Sequence, residues 1–374
     1  RIFHKLLINF TWWVDNKDHG ENNLFEGGFM GLDNIAPLDR SALPPSEGFL
    51  EQADSTAWMA MYAQNLLEMA LRLAINDRAY EDVATKFFEH FLAIAGAANN
   101  AGLWDEQDSY FYDVLHLTSG TDIPIKVKSL VGLVPISAAM SYDGMELQSL
   151  PDFQKRAIWF LQNHPEYNQL FHMRDIAGVR HRLLALVPPE RLVRLLDNVF
   201  EEAGLLSDYG IRAISAWHRE HPFTVEVGGV TASVDYEPAE STTNLFGGNS
   251  NWRGPIWMPL NVLLIEALRK YDNLAPGEVT VEYPARSGDR RTLSAAADDI
   301  SRRLTSIFLP GENGRRPVHG WYDLLATDAR WKDNIPFHEY FHGDTGMGLG
   351  AEHQTGWTAL VAHLILTTAP RPAP

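Results

Sequence analysis

At 374 residues with 45% hydrophobic content, the chain is long enough to bury a substantial core, which excludes a mainly disordered protein. Its 31 Lys and Arg against 48 Asp and Glu give a net charge of −17, so no broad face is available to neutralise phosphates and nucleic acid is excluded as a partner. Cysteine is absent, which excludes disulfides and thiolate chemistry, and no run approaches the ~18 apolar residues of a membrane span. A neutral or cationic ligand fits this balance. The 11 Trp, 12 Tyr and 18 Phe supply flat faces that hold sugar rings as readily as they fill cores. The composition permits a reducing compartment and reads as cytoplasmic, while a start at Arg1 inside an amphipathic pattern reads as a fragment or processed product.

Residues 2 to 14 carry Ile2, Phe3, Leu6, Leu7, Phe10 and Trp13 at steps of three and four, which predicts a helix ending near Asp15. The loop from there to Gln52 is long for a compact domain, and such loops tend to be functional. Within it, the run from Phe25 to Asn34 spaces Gly27, Gly28 and Gly31 among aromatic residues and the acids Glu26 and Asp33. Glycine permits positive φ and close backbone approach, so the run reads as a shaped turn able to hold an acid, or as an ordinary inter-helix loop.

Asp54 or Ser55 is expected to cap the next helix, which runs to about Ile75 and is apolar nearly all round, hence buried on most sides. Residues 82 to 98 carry the narrower stripe Val83, Phe87, Phe91 and Ile94 opposite Lys86, Glu89 and His90, and are expected outside. Further helices are predicted at 128–141, 151–163 and 189–204. Those at 254–271 and 355–367 read as buried, and 292–308 as one-striped. Strand-like pieces at 110–117, 224–230 and 279–283 are too few for a sheet-based core. Inner apolar helices alternating with outer amphipathic ones are the pattern of an all-α toroid whose loops gather at one mouth. No linker divides residues 1–366, and a Pro-rich tail from 367 reads as flexible.

Glycoside hydrolysis needs one protonated carboxyl to serve the leaving oxygen and one ionised carboxyl to activate water or attack the sugar. The loop holding Glu26 and Asp33 offers the first. Glu339, in the run from Phe337 to Gly346, offers the second: aromatic neighbours would raise its pKa, whereas donors such as Tyr340 and His342 would favour its ionised form. Taken alone, each acid reads as a solvated or structural carboxylate before it reads as a catalyst. Between them, Pro255 suits the first turn of a helix, which would set Trp252 and Arg253 at a helix mouth. There Arg253 would bind a hydroxyl or orient a carboxylate, or simply pair with a structural acid while Trp252 plugs the core. Gln52 and Asp54 are placed to hydrogen-bond a sugar, although an N-cap role explains Asp54 as well.

No metal or cofactor is expected. The run from Asp15 to Glu26 has the length of a calcium loop, but Lys17 and His19 occupy ligand positions. His338, Glu339 and His342 approach zinc-protease spacing, yet glycines follow where a helix should continue. Gly346, Gly348 and Gly350 lack the preceding strand of a nucleotide fingerprint.

Four pieces together resemble glycoside hydrolase family 63, the processing α-glucosidases, and in particular its bacterial branch with a mannosylglycerate-hydrolase-like catalytic domain. They are Gly31-Leu32-Asp33-Asn34, the run from Gln52 to Trp58, the run from Asn251 to Trp257, and the run from Glu339 to Trp357 containing His342-Gly343-Asp344-Thr345-Gly346. The resemblance implies an (α/α)6 barrel, here without its first helices, and an inverting mechanism. It also implies Asp33 as general acid and Glu339 as general base. Gln52, Asp54, Trp252, Arg253, Trp257 and His342 fall where substrate contacts are expected, and the partner implied is a small carbohydrate or glycoside. Two other classes share the pattern: a sugar isomerase or lyase, for which His338, His342 and His353 speak, and a non-catalytic sugar-binding domain.

Overall fold

The computed structural model describes residues 1–27, 32, 34–40, 43, 46–143, 147–176, 178–243 and 250–368. Asp33, Gly28 and Gly31 lie outside the described residues, as do 369–374 of the predicted tail; its first two residues close the last helix.

The helices that carry the core are α1 (Ile2–Lys17), α2 (Ala53–Ala74), α3 (Tyr80–Asn100), α4 (Val134–Ser137), α5 (Pro151–Asn163), α6 (Pro189–Val199), α7 (Met258–Leu274) and α8 (Leu293–Ser306). Two short ones follow, α9 (Thr355–Thr358) and α10 (Leu360–Thr368). Helix α2 is buried on most sides, with Asn65, Glu68 and Arg72 at the surface, and Ala57, Ala60, Ala63 and Ala70 let neighbours come close. It packs against α1, α3 and α4, and α4 packs in turn against α7, which pairs with α8.

Several small antiparallel sheets are set among the helices. Strand β1 (Gly48–Glu51) pairs with β2 (Asp113–Leu117), and β2 with β3 (Asp122–Ile125). A second sheet joins β4 (Ala139–Asp143) and β5 (Phe171–Ile176) to opposite edges of β6 (Val179–Ala185). The end of β6 ties helices together: Gln64 Nε2 of α2 donates to the Leu184 carbonyl (2.8 Å), and the Tyr271 hydroxyl of α7 to that of Val187 (2.8 Å). The hairpin β7 (Phe223–Val227) and β8 (Val230–Val234) leads toward the site, and the pair β9 (Tyr340–Phe341) and β10 (Gly348–Leu349) lies in it.

Five sequence expectations differ from the structure. Helix α3 is not an outer helix: Phe88, Leu92 and Ala95, on a face beside its stripe, are also buried, and Phe88 meets Phe153 and Phe160 of α5 and Phe171 of β5 edge-on. The helix expected over 128–141 shrinks to α4 and gives way to β4. Gly132 is pressed against the Tyr110 ring and the Phe111 carbonyl, where a Cβ would come within 2.4 Å of that oxygen. The helix expected from 254 starts at Met258, with Pro259 rather than Pro255 in its first turn, because the Ile256 backbone is committed to Phe341. Residues 355–367 break into two helices, and Ile365 and Leu366 are exposed. Neither Asp54 nor Ser55 caps α2, which opens after Gln52 with its Ala53 N–H donating to Asp113 Oδ1 at 2.9 Å.

Asp54 is instead wholly buried against Arg40. That guanidinium binds both Asp54 oxygens, through Nη1 at 3.0 Å and through Nη2, and gives its Nε to Asp113 Oδ2 at 2.9 Å. Burial works against the Arg40 charge, but the flanking carboxylates outweigh it and raise its pKa above the ordinary range. Arg40→Leu would leave two carboxylates buried without their cation, and equilibrium urea unfolding is expected to show a loss of about 3–5 kcal/mol. A loss under about 1 kcal/mol would mean that water replaces the guanidinium there.

Candidate active site

Three segments far apart in sequence meet at one place. Asn34, next to Asp33, donates through Nδ2 to Asn251 Oδ1 (3.2 Å) and accepts the Trp252 N–H on Oδ1 (2.8 Å), and its carbonyl accepts Arg253 Nε (2.7 Å). Asn251 Nδ2 donates onward to the carbonyls of Glu237 (2.8 Å) and Ala239 (2.7 Å), so both amides are satisfied in a buried setting. The Arg253 guanidinium also pairs with Glu237 at 3.2 Å, with both side chains largely buried.

The third segment is joined through backbone. Ile256 and Phe341 exchange two hydrogen bonds of 2.7 and 3.0 Å, which sets β9 directly beside the Asn251–Trp257 run. Glu339 stands just before β9, half-buried; its N–H donates to the Ala351 carbonyl (2.8 Å) and its Oε2 accepts the Ala351 N–H (3.3 Å). The Trp357 indole N–H fixes the Glu339 carbonyl at 3.0 Å. The chain turns tightly at Gly350, whose φ is +68°, and a Cβ there would sit 2.8 Å from Glu339 Oε2.

Behind these groups stands an aromatic wall. Trp252 stacks on Trp257 with centroids 3.6 Å apart and planes 6° from parallel, and Trp257 stacks in turn on Tyr340 at 4.8 Å and meets Trp357 edge-on at 5.9 Å. The Trp257 indole N–H donates to the Asn251 carbonyl (3.0 Å), so the wall is locked to the polar network. Burial raises the Tyr340 pKa, and the negative charges of Glu240 and Glu339 add to the effect.

The sequence-derived site residues therefore fall into groups. Trp252, Arg253, Trp257, Glu339 and His342 lie on the two segments joined at Ile256 and Phe341, and Asn34 brings the neighbour of Asp33 to the same place. Trp252 and Arg253 are buried in the extended run before α7 rather than displayed at a helix mouth. Gln52 and Asp54 serve the loop from behind: Gln52 Nε2 donates to the Arg40 carbonyl (2.7 Å) and its Oε1 accepts from Ser55 (2.6 Å), while Asp54 holds the Arg40 guanidinium. His338 and His342 flank strand β9, so no helix face aligns them as in a zinc protease. Among the described residues no group of three His, Asp or Glu side chains is arranged to hold a metal.

Sequence reasoning does not single out Glu237, Arg40, Asp113 or Tyr340 as site residues. Of these, Tyr340 alone stands in one of the runs that carry the resemblance, and nothing in the local sequence of Glu237 or Asp113 distinguishes either from a solvated acid. A cavity of about 140 Å³ beside the loop is lined by Lys17, His19, Glu26 and Arg40, among others. A larger one, about 420 Å³, lies between α3, α5 and the β5–β6 hairpin, and none of the sequence-derived site residues lines it.

No family model matches the chain. It is 43% identical over 98% of its length to the uncharacterized protein YMR196W of Saccharomyces cerevisiae, of which it spans 35%. Over 32% of its length it is 31% identical to the mannosyl-oligosaccharide glucosidase of the same yeast, 11% of that protein. The crystal structure of a GH63 mannosylglycerate hydrolase from Thermus thermophilus in complex with glucose aligns over 98% of this chain and 69% of that one, with 15% identity and a TM-score of 0.46. Over 49% of its length the chain is also 24% identical to the probable mannosyl-oligosaccharide glucosidase of Schizosaccharomyces pombe, 16% of that protein, so part of the chain is similar to glucosidases of that name. It spans about a third of the length of the yeast relative that it matches from end to end. No helix among the described residues is long and apolar enough to cross a membrane.

Asn34→Ala would strip the buried Trp252 N–H of its acceptor and leave Asn251 Oδ1 with the Arg253 N–H alone. An unfolding free energy lower by about 1–3 kcal/mol is expected in urea titrations followed by tryptophan fluorescence. An unchanged midpoint would show that these groups find other partners.

Proposed function

We propose that the chain is the catalytic part of an inverting glycoside hydrolase of (α/α)6 architecture, cleaving a short α-linked sugar or α-glycoside, with Asp33 as general acid and Glu339 as general base. The observation that carries this reading is the joint made by Asn34. It binds the backbone next to Asp33 to Asn251, Trp252 and Arg253, and that run is paired through Ile256 with the strand that follows Glu339. The residue after Asp33 and the strand after Glu339 are thus tied to one run, and a shared support of that kind is what paired acid and base work requires. The relation to the glucosidases supports α-linked glucose as the sugar to test first.

Chemistry at such a site would proceed by protonation of the glycosidic oxygen from Asp33 as the bond to the anomeric carbon stretches. Glu339 would take a proton from a water attacking the opposite face. Room for that water implies carboxyl groups about 6.5–9.5 Å apart, against roughly 5 Å in a retaining pair. Arg253, buried and already bound to Glu237 and to two backbone carbonyls, is best suited to holding the frame; His342 remains a candidate sugar contact.

A screen of α-glucosides, α-mannosides and glycerate glycosides on the full-length gene product, with the first-formed anomer followed by NMR, tests substrate and stereochemistry together. Product of inverted configuration is expected, and a retained anomer would overturn the assignment of Glu339 as base. Asp33→Asn and Glu339→Gln are each expected to lower kcat at least ~100-fold, in keeping with the usual worth of a general acid or base. Near-parental turnover in either variant would remove that residue from the mechanism.

A further inference from the structure

The turn that follows β9 is anchored by side chains from other segments. Asp344 accepts from three donors on other segments: the Tyr236 hydroxyl (2.7 Å) and Arg212 Nη2 (3.2 Å) on Oδ1, and Arg219 Nη2 (2.7 Å) on Oδ2. Arg212 is buried and fixed in place, giving Nη1 to the carbonyls of Gly204 (2.9 Å) and Leu206 (2.8 Å) and Nε to the Tyr236 oxygen (3.0 Å). The Arg219 guanidinium lies 4.9 Å from the Tyr236 ring centroid. Burial pushes the Asp344 carboxyl up, but the Tyr236 hydrogen bond and the two arginine charges outweigh it and hold it below the usual carboxylate range.

The neighbouring residues carry this anchoring into the site. Gly343 donates its N–H to the Pro238 carbonyl (2.9 Å), and a Cβ at Gly343 would come within 2.5 Å of the Tyr236 oxygen and 2.6 Å of the Gly254 carbonyl. One end of the β9–β10 unit is therefore clamped to Tyr236, Pro238 and Gly254, while Glu339 stands at its other end. The Asp344 N–H donates to His342 Nδ1 at 3.0 Å. A neutral His342 with Nδ1 so occupied carries its proton on Nε2 and can act there only as a donor. Burial lowers the His342 pKa, which favours that neutral ring.

A buried or half-buried ion cluster is weak at adding stability, since desolvation offsets most of the attraction, but its fixed angles hold groups in one orientation. We propose that Asp344 is a positioning residue for the hydrolytic reaction: anchored by Arg212, Arg219 and Tyr236, it sets the placement of Glu339 and the donor form of His342. This rests on the reading of Glu339 as the base. Displacement of a reacting group by ~1 Å can cost on the order of 100-fold in rate, so loosening the clamp acts on kcat.

The test uses the full-length protein and the α-glycoside that the screen finds most rapidly cleaved, together with its 4-nitrophenyl analogue, whose leaving group needs little protonation. Asp344→Asn is expected to lower kcat about tenfold or more on both substrates while inhibition by the released sugar changes less than about threefold. Equal loss on the nitrophenyl substrate assigns the effect to the water-activating side rather than to Asp33. Tyr236→Phe, which keeps the ring and its packing, is expected to lower kcat in the same direction by a smaller factor, and it decides the matter if Asp344→Asn does not fold. Ring-nitrogen NMR of the parent at pH 7 is expected to show His342 with its proton on Nε2. Parental kcat in both variants while Glu339→Gln abolishes turnover would overturn the clamp alone. So would an inhibition constant rising in step with the loss of kcat, or a proton on Nδ1. Parental turnover in Glu339→Gln would instead overturn the base assignment, and the clamp would fall with it.

Discussion

A buried guanidinium has to be matched by acceptors within the protein, and Arg40 meets that constraint with two carboxylates that come from different parts of the fold. Asp54 belongs to the first turn of α2 and Asp113 to the start of β2, and Asp113 also takes the first N–H of the helix. Because the fork of Arg40 is planar and its donors point in fixed directions, satisfying both acids fixes where the end of the long loop can lie relative to α2. A lysine, a point charge on a flexible stem, would neutralise the acids without setting that angle. The loop that contains Asp33 is thus fastened at Arg40 by charge and at Phe25 by backbone bonding to Gln52 (3.0 Å).

Between those two fastenings Asn34 makes the connection to the rest of the site. A primary amide both donates and accepts, and here the side chain joins Asn251 and Trp252 at once, while the Asn34 carbonyl takes Arg253. Behind the polar layer the stacked faces of Trp252, Trp257 and Tyr340 leave little freedom for the backbone that carries them. The arrangement is one of rigid backing rather than of displayed contacts. Several residues that look from the sequence like ligands for a sugar, Gln52, Asp54 and Arg253 among them, spend their polar groups on holding the loops in register.

The legibility of the chain varies with the range of the forces involved. Helices α1, α2, α5 and α8 are readable to within a few residues because the periodicity of their apolar side chains is a local property. The exterior placement expected of α3 fails because Phe88 and Gly96 look unremarkable until the segment around Phe153 and Tyr167 folds over them. The start of α7 departs from expectation for a similar reason: Pro255 has the chemistry of a first-turn residue, yet the backbone beside it is already engaged by the distant Phe341. The strands β4, β5 and β6 leave no readable signal, since their burial comes from helices on the other side of the sheet and produces only an irregular pattern in sequence.

By itself the sequence determined the helical character of the chain, the absence of thiol chemistry, the acidic balance and the family resemblance, all of which follow from composition, periodicity or short runs of neighbouring residues. Only the tertiary structure decided that Asn34 and Asn251 are partners, that Glu237 answers Arg253, and that Asp344 is gripped by Arg212, Arg219 and Tyr236. The physical reason is that a buried polar group must find its partner wherever the fold brings one. Partners distant along the chain leave no trace in the residues on either side.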